Sequence, residues 1–333
     1  METLITAKPT TWAAVNEHGD LVIPREIVEQ FGLTPGARVR LESDTNHVRL
    51  HRPVTHLAKV YVEPTIYCNL DCRTCIRNVW DEKLGLMTDA TFDRVVQGIR
   101  SVSPRPTVFF GGLGEPLFHK RTIEWIAQAK AIGAQVEMIT NATLLDEEKA
   151  RQLAQSGLDI LWVSIDGASP DSFTDVRLGA ELPNVIENVQ RFRRLRQGGH
   201  HAKPEIGIAF VAMKRNIHEL PDVIGIAQRL GARHFKVSNV LPYTDELRDE
   251  MLYDKVLSDL AYLPSPTIPR LSLPKMEFNE QTYGPLFKAF RSGFNVNFAG
   301  SNLGGANDVC NFIESGSISI GWDGSVAPCL PML

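Results

Sequence analysis

Three thiols stand close together in the run Cys68-Asn69-Leu70-Asp71-Cys72-Arg73-Thr74-Cys75. Their C-x3-C-x2-C spacing follows a β-prone run, Val60-Tyr61-Val62, which Pro64 closes. A loop that leaves a strand with three close thiolates can hold three irons of a cubane 4Fe–4S cluster. Such clusters normally take four cysteines, so the fourth iron stays open to a substrate or cofactor. That design suits a reactive cluster rather than an electron wire. A structural zinc site competes for the same residues, but zinc wants four closed ligands, and Cys310 and Cys329 are remote in sequence. Disulfide pairing is a further alternative. The odd count of five cysteines and the lack of an export signal argue instead for a reducing, cytoplasmic compartment.

The cysteine motif at a strand-to-loop junction resembles that of the radical S-adenosylmethionine (radical SAM) superfamily, over roughly residues 57–239. The resemblance implies catalytic roles for Cys68, Cys72 and Cys75 as ligands of a 4Fe–4S cluster whose open iron chelates SAM. It further implies reductive cleavage of SAM to a 5′-deoxyadenosyl radical that abstracts hydrogen from substrate. An electron donor such as ferredoxin or flavodoxin is then required.

Further motifs fall where such a pocket needs them. Phe109-Phe110-Gly111-Gly112-Leu113-Gly114-Glu115-Pro116 combines glycines, which let backbone approach a ligand, with a carboxylate that can hold an ammonium group. It resembles the family's glycine-glycine-glutamate motif, which assigns Gly111, Gly112, Gly114 and Glu115 to the methionine end of SAM. Thr140-Asn141-Ala142-Thr143 looks like the family's Thr-Asn-Gly-Thr element, with Ala142 in the glycine position. Asn141 is a pocket candidate there, or a residue of the local turn. In Trp162-Val163-Ser164-Ile165-Asp166-Gly167, alternation puts Ser164 and Asp166 on one face, where both can bond a ribose or an amino group. Arg177 offers a guanidinium for the SAM carboxylate, or a surface ion pair. Met213 and Asn216 are the candidates nearest the adenine. Thr74 departs from the pattern: many family members carry an aromatic residue before the third cysteine.

The elements that must position these residues alternate strand and helix from about Ala58, as in a parallel α/β sheet. Strands are predicted near 58–63, 107–110, 135–139, 160–165, 205–211 and 233–238. Helices are predicted to start near Asp89, Arg121, Glu147, Val185 and Leu220. Six such units fit the partial (β/α)6, TIM-like barrel of radical SAM enzymes, with chemistry at the C-terminal strand ends. At 333 residues the chain is long enough for two or three domains, and its net charge of −4 gives no general attraction to nucleic acid or anionic membranes. No apolar run approaches the ~20 residues of a membrane span.

Residues 1–53 read as a small β domain: a hairpin around Gly19, a helix from Arg25 to Phe31, and strands near Arg38–Glu42 and Val48–Leu50. This order resembles the AbrB-like swapped-hairpin family, which dimerises and commonly binds DNA. Six Lys/Arg against seven Asp/Glu in this segment favour dimerisation or protein docking over DNA. The barrel is assigned to 54–240 and a further region to 241–333. There the α/β rhythm is expected to stop after about Val240, with a helix near Asp249–Ala261 and a Pro-rich connector. Asp323-Gly324 then signals a hairpin. Cys310, Gly324 and Cys329 resemble the opening of a SPASM or twitch extension, whose auxiliary iron–sulfur cluster would draw on Cys310 and Cys329. Two cysteines cannot complete it, so the expectation is a truncated chain. SPASM-type members modify peptides or proteins, or mature other enzymes. The AbrB-like leader with Cys-Arg-Thr-Cys and Arg77-Asn78-Val79-Trp80 resembles the maturases of tungsten-dependent aldehyde ferredoxin oxidoreductases. A peptide-modifying maturase is the alternative. A DNA-binding redox sensor is a third reading, opposed by the SAM-pocket residues.

Overall fold

The computed structural model describes residues 12–30, 39–43, 48–51, 57–80, 83–196, 202–252, 270–273, 279–298 and 316–330. The chain forms two compact units, Met1–His56 and Leu57–Leu333.

In the first unit, β1 (Ala14–Val15) and β2 (Leu21–Val22) pair antiparallel. Their turn is closed by the Asn16 side chain, which accepts the His18 and Asp20 N–H groups, and by Gly19 at φ +83°. α1 (Arg25–Gln30) follows Pro24, and β3 (Arg40–Ser43) pairs antiparallel with β4 (Val48–His51). The turns expected near Gly32–Gly36 and Asn46–His47 lie outside the described residues. Trp12, Val15, Leu21, Val22, Leu41 and Val48 are all exposed in this unit.

The second unit is built on a ten-stranded sheet. Its elements are β5 (Lys59–Val62), α2 (Asp89–Ser101), β6 (Thr107–Phe110), α3 (Thr122–Ala131), β7 (Val136–Thr140), α4 (Glu147–Gln155), β8 (Ile160–Ser164), α5 (Pro170–Val176), α6 (Leu182–Leu195), β9 (Glu205–Ala212), α7 (Leu220–Arg229) and β10 (His234–Asn239). Then come α8 (Asp245–Asp249), β11 (Arg270–Leu273), α9 (Glu280–Phe290), β12 (Asn295–Phe298), β13 (Ser317–Ile320) and β14 (Val326–Ala327). The sheet order is β12-β11-β10-β9-β8-β7-β6-β5-β13-β14. Every pair is parallel except β13–β14. The six strands expected from the sequence are present in sequential order, as right-handed βα units require.

The region after Val240 departs from expectation. The α/β rhythm continues, because β11 and β12 extend the sheet in parallel beyond β10 with α9 between them. α8 ends at Asp249, and most of the helix expected near Asp249–Ala261, from residue 253 on, lies outside the described residues. The Asp323-Gly324 hairpin forms, with Gly324 at φ +91°. Its first strand is not a separate extension: β13 pairs in parallel with β5 along Ser317–Ile320.

Alternation sorts the strands into two faces. Val60, Val62, Val108, Phe110, Val136, Met138, Leu161 and Val163 join Phe92, Trp125, Leu153 and Phe192 of the helices in one buried cluster. The other face carries Lys59, Tyr61 and Glu63 of the first strand, then Phe109, Glu137, Trp162 and Lys236. Here Lys59 pairs with Glu137 at 3.1 Å, and the Trp162 indole donates to the same carboxylate at 3.0 Å. Lys236 lies five strands from Lys59, ~24 Å along a flat sheet. Burial, assisted by the Lys59 charge, lowers Lys236 to about 8.

Candidate active site

The cysteine loop leaves β5 and is held at several points. Thr65 Oγ1 donates to Gly85 O at 2.8 Å and accepts Tyr67 N–H at 2.9 Å. Asp71 N donates to Leu178 O and Arg73 N to Val176 O, so the loop lies along the end of α5. Leu70 and Ile76 bury their side chains beneath it. Arg73 bonds Asp175 and Glu246, and Arg215 bonds Asp175, Glu246 and Glu250. This five-membered ionic network ties the loop to α5, α8 and the end of β9.

Cys68, Cys72 and Cys75 face one cavity of about 220 Å³, together with Gly112, Gly114, Glu115, Asn141, Ser164 and Arg177. None of the three thiols is in a disulfide. Among the described residues, no three His, Cys, Asp or Glu side chains converge on a single metal ion.

Each sulfur has a different neighbour. Asn141 Nδ2 reaches Cys68 Sγ at 3.8 Å, Arg177 Nη1 reaches Cys72 Sγ at 3.9 Å, and Arg77 Nε reaches Cys75 Sγ at 3.3 Å. Burial pushes the Cys68 and Cys72 thiols up, against the lowering pull of Arg77 and Arg177 respectively. Cluster ligation requires thiolates, and the two guanidiniums supply positive charge where that negative charge would gather.

Glu115 is buried beside them. Its Oε1 accepts Leu117 N–H at 3.0 Å and Thr140 Oγ1–H at 2.7 Å, and its Oε2 accepts Asn141 N–H at 2.8 Å. Burial raises this carboxyl, and the three donors oppose that rise. A carboxylate has about four acceptor positions, so three bonds fix its orientation and leave capacity for an ammonium group. Gly114 is required by space: a Cβ there would stand 2.1 Å from Thr65 O. Asn141 also bonds Asn69 Oδ1 at 3.1 Å and takes Thr143 N–H at 2.9 Å, so it serves both its turn and the cysteine loop. Ala142 holds the left-handed conformation, φ +60°, which accounts for a glycine in the resembling element.

Other expected site residues are placed differently. Gly111 does not line the cavity; it packs against Ile139 and Phe109. Asp166 is fully buried and committed: Oδ2 takes Arg177 Nε at 2.6 Å and Oδ1 takes Val211 N–H at 2.7 Å. It acts by holding Arg177. Arg177 thus has both a cavity-facing position and an ion pair, since a guanidinium carries five donors. Met213 is fully buried among Val176, Val240 and Leu247, away from the cavity lining. Asn216 spends its amide on Asp166 O and Val211 O and its Oδ1 on Met213 N–H. Neither residue is in the cavity lining; Met213 packs in a hydrophobic cluster and Asn216 braces backbone. Cys329 is half-buried, and Cys310 lies outside the described residues.

Sequence reasoning passed over Thr140, Tyr243 and Glu63. Thr140 orients Glu115, and Tyr243 lines the cavity from the segment after β10. Glu63 is a buried carboxyl at the end of an apolar strand, a pattern that could have drawn notice.

The profile of the radical SAM superfamily matches residues 62–209. The chain is 30% identical over 275 residues to the tungsten-containing aldehyde ferredoxin oxidoreductase cofactor-modifying protein of Pyrococcus furiosus, covering 82% of this chain and 71% of that one. It is 28% identical over 197 residues to the PqqA peptide cyclase of Rhodopseudomonas palustris, of which it spans 47%. The fold is similar to that of Streptococcus suis SuiB bound to S-adenosylmethionine, with a TM-score of 0.59 at 15% identity over 83% of this chain and 61% of that one. Fold and cysteine site together define a SAM-dependent iron–sulfur enzyme. The chain belongs to the radical SAM superfamily, whose members carry a 4Fe–4S cluster and use SAM.

Proposed function

We propose that this chain is a maturase that acts on a tungsten-dependent aldehyde ferredoxin oxidoreductase-type enzyme or its cofactor. The observation that carries this reading is its 30% identity, over most of both chains, to the Pyrococcus furiosus cofactor-modifying protein. When bound, the cluster supplies the electron that cleaves the SAM sulfonium. The chain's own residues hold and shield that chemistry. Cys68, Cys72 and Cys75 ligate the cluster. Glu115, fixed by three donors, receives the SAM ammonium. Arg177, oriented by Asp166, offers its remaining N–H groups to the SAM carboxylate. Ser164 and Asn141 contribute polar contacts from neighbouring strand ends.

A ferredoxin or flavodoxin delivers the electron. The first unit serves as a homodimerisation module: its apolar Val15, Leu21, Val22, Leu41 and Val48 are exposed, and its near-neutral charge suits protein contact rather than DNA. No described helix is long and apolar enough to cross a membrane. The test is to produce the tungsten oxidoreductase with and without this chain. The expected result is that omission yields an oxidoreductase lacking activity, restored by the wild-type chain and not by C72A. Full activity without the chain contradicts the reading. The likeness to a PqqA peptide cyclase supports a second reading, modification of a peptide. That reading predicts a mass change in a peptide substrate and no effect on the oxidoreductase.

A further inference from the structure

Glu63 follows β5 directly and is 3% exposed. It is not among the residues that line the cavity. Its Oε1 accepts Leu113 N–H at 2.7 Å. Leu113 belongs to the glycine loop that ends in Glu115. Ile320, whose carbonyl accepts the backbone N–H of Glu63, ends β13, more than two hundred residues later. Glu63 thus joins two remote segments, the loop by its side chain and the hairpin by its backbone.

The surrounding contacts leave little slack. A Cβ on Gly112 would stand 2.5 Å from Glu63 Oε1, so the loop closes directly on this side chain. Gly111 N donates to Val62 O at 3.0 Å, and Glu63 N donates to Ile320 O at 2.9 Å. On the hairpin side, the Trp322 ring packs so tightly over Gly85 that a Cβ there would meet it at 2.2 Å.

We propose that Glu63 is a positioning residue that locks the Gly111–Glu115 loop to the C-terminal hairpin, and so sets the loop geometry that binds SAM. This rests on the reading of the adjacent cavity as the SAM site. A backbone N–H bonded to a carboxylate is of the strong, charge-assisted kind, and here it holds the loop at Leu113 while the backbone of Glu63 is held by β13. Burial pushes the Glu63 carboxyl up to about 7, with the Asp323 charge on the hairpin adding to the rise.

The experiment uses the full chain, E63A and E63Q. Amide hydrogen exchange is read in the protein without SAM, and SAM affinity is read by anaerobic equilibrium dialysis after cluster loading. In E63A, exchange is expected to rise about tenfold or more at Leu113 and not across the rest of the chain, as the loss of a charge-assisted bond implies. SAM affinity is expected to fall about tenfold in E63A and about threefold in E63Q, whose NH2 group cannot accept an N–H. Iron content and cluster absorbance stay at the wild-type level. Should E63A fail to fold, E63Q decides on the same readouts. SAM affinity within about twofold of wild type in the folded variants, or exchange rising uniformly with a matching fall in melting temperature, overturns the proposal. Failure of the wild-type protein to bind SAM at all contradicts the SAM reading instead, and leaves the exchange result standing on its own.

Discussion

The two units treat their apolar residues in opposite ways. In the second unit, Val60, Phe110, Trp125, Met138 and Phe192 are sealed inside one cluster, and the polar residues at the strand ends are committed to named partners. In the first unit, Trp12 is 82% exposed and Val15 69%, and both hairpins leave apolar side chains uncovered. A unit of this size is marginal on its own. The difference supports the proposal that the N-terminal unit is completed by another surface, while the second unit has a core of its own. It also predicts that the two can be damaged separately.

The largest effect is expected at the cluster. C72A removes one of three thiolates and abolishes SAM cleavage, a loss of at least about a thousandfold on the scale of a missing catalytic group. Product assay after cluster loading measures it. Cleavage by C72A would break the assignment of the second unit as the chemical one.

Next in size is Arg177→Met. It leaves Asp166, which is fully buried, facing only the Val211 N–H. Removing one partner of a buried pair costs about 3–5 kcal/mol. Denaturant unfolding is expected to show that loss in the second unit, with SAM affinity falling as well.

The comparison sharpens with Leu41→Glu combined with Val48→Glu. Both positions are exposed on the strand pair of the first unit. Covering each side chain is worth about 1.5–3 kcal/mol, so self-association measured by sedimentation is expected to weaken at least about tenfold. SAM cleavage is expected to stay within about twofold of wild type, since every residue lining the cysteine-site cavity belongs to the second unit. Loss of cleavage without loss of folding would show that the units are not separable in function.

A smaller effect concerns pH. Burial raises the Glu63 carboxyl to about 7, so folded protein binds its proton more tightly than unfolded protein does. The stability this contributes is complete below the unfolded value and is lost as pH rises through about 7. E63Q removes that slope, and melting curves between the two limits would record it. The smallest effect is Ala142→Gly. Release of the left-handed strain, worth about 1–2 kcal/mol, is opposed by loss of a buried methyl group, worth about 0.8 kcal/mol. Thermal unfolding is expected to shift little.

Much of this organisation is legible in the residues themselves. The cysteine spacing, the Gly111–Glu115 string and six strands rest on local patterns, and the fold keeps them. Four things are hidden because they depend on partners elsewhere in the chain. Asn216 looks like a polar pocket residue until its amide is seen bonded to Asp166 O and Val211 O. Asp166 looks like a ligand contact until Arg177 and Val211 claim both its oxygens. β13 looks like the start of a separate extension because nothing in Ser317-Ile318-Ser319-Ile320 announces that its partner is Lys59–Val62, more than two hundred residues earlier. Likewise Glu63 reads as a strand residue until two remote backbone segments are seen to meet on it.

The most direct test of the central claim is anaerobic. The protein is reconstituted with iron and sulfide, its iron is counted, and dithionite and SAM are added. The account predicts 5′-deoxyadenosine from the wild-type chain, with about four irons per chain for one 4Fe–4S cluster, and none from C72A. A loaded wild-type protein that leaves SAM intact, or a C72A protein that cleaves it equally well, would contradict the account.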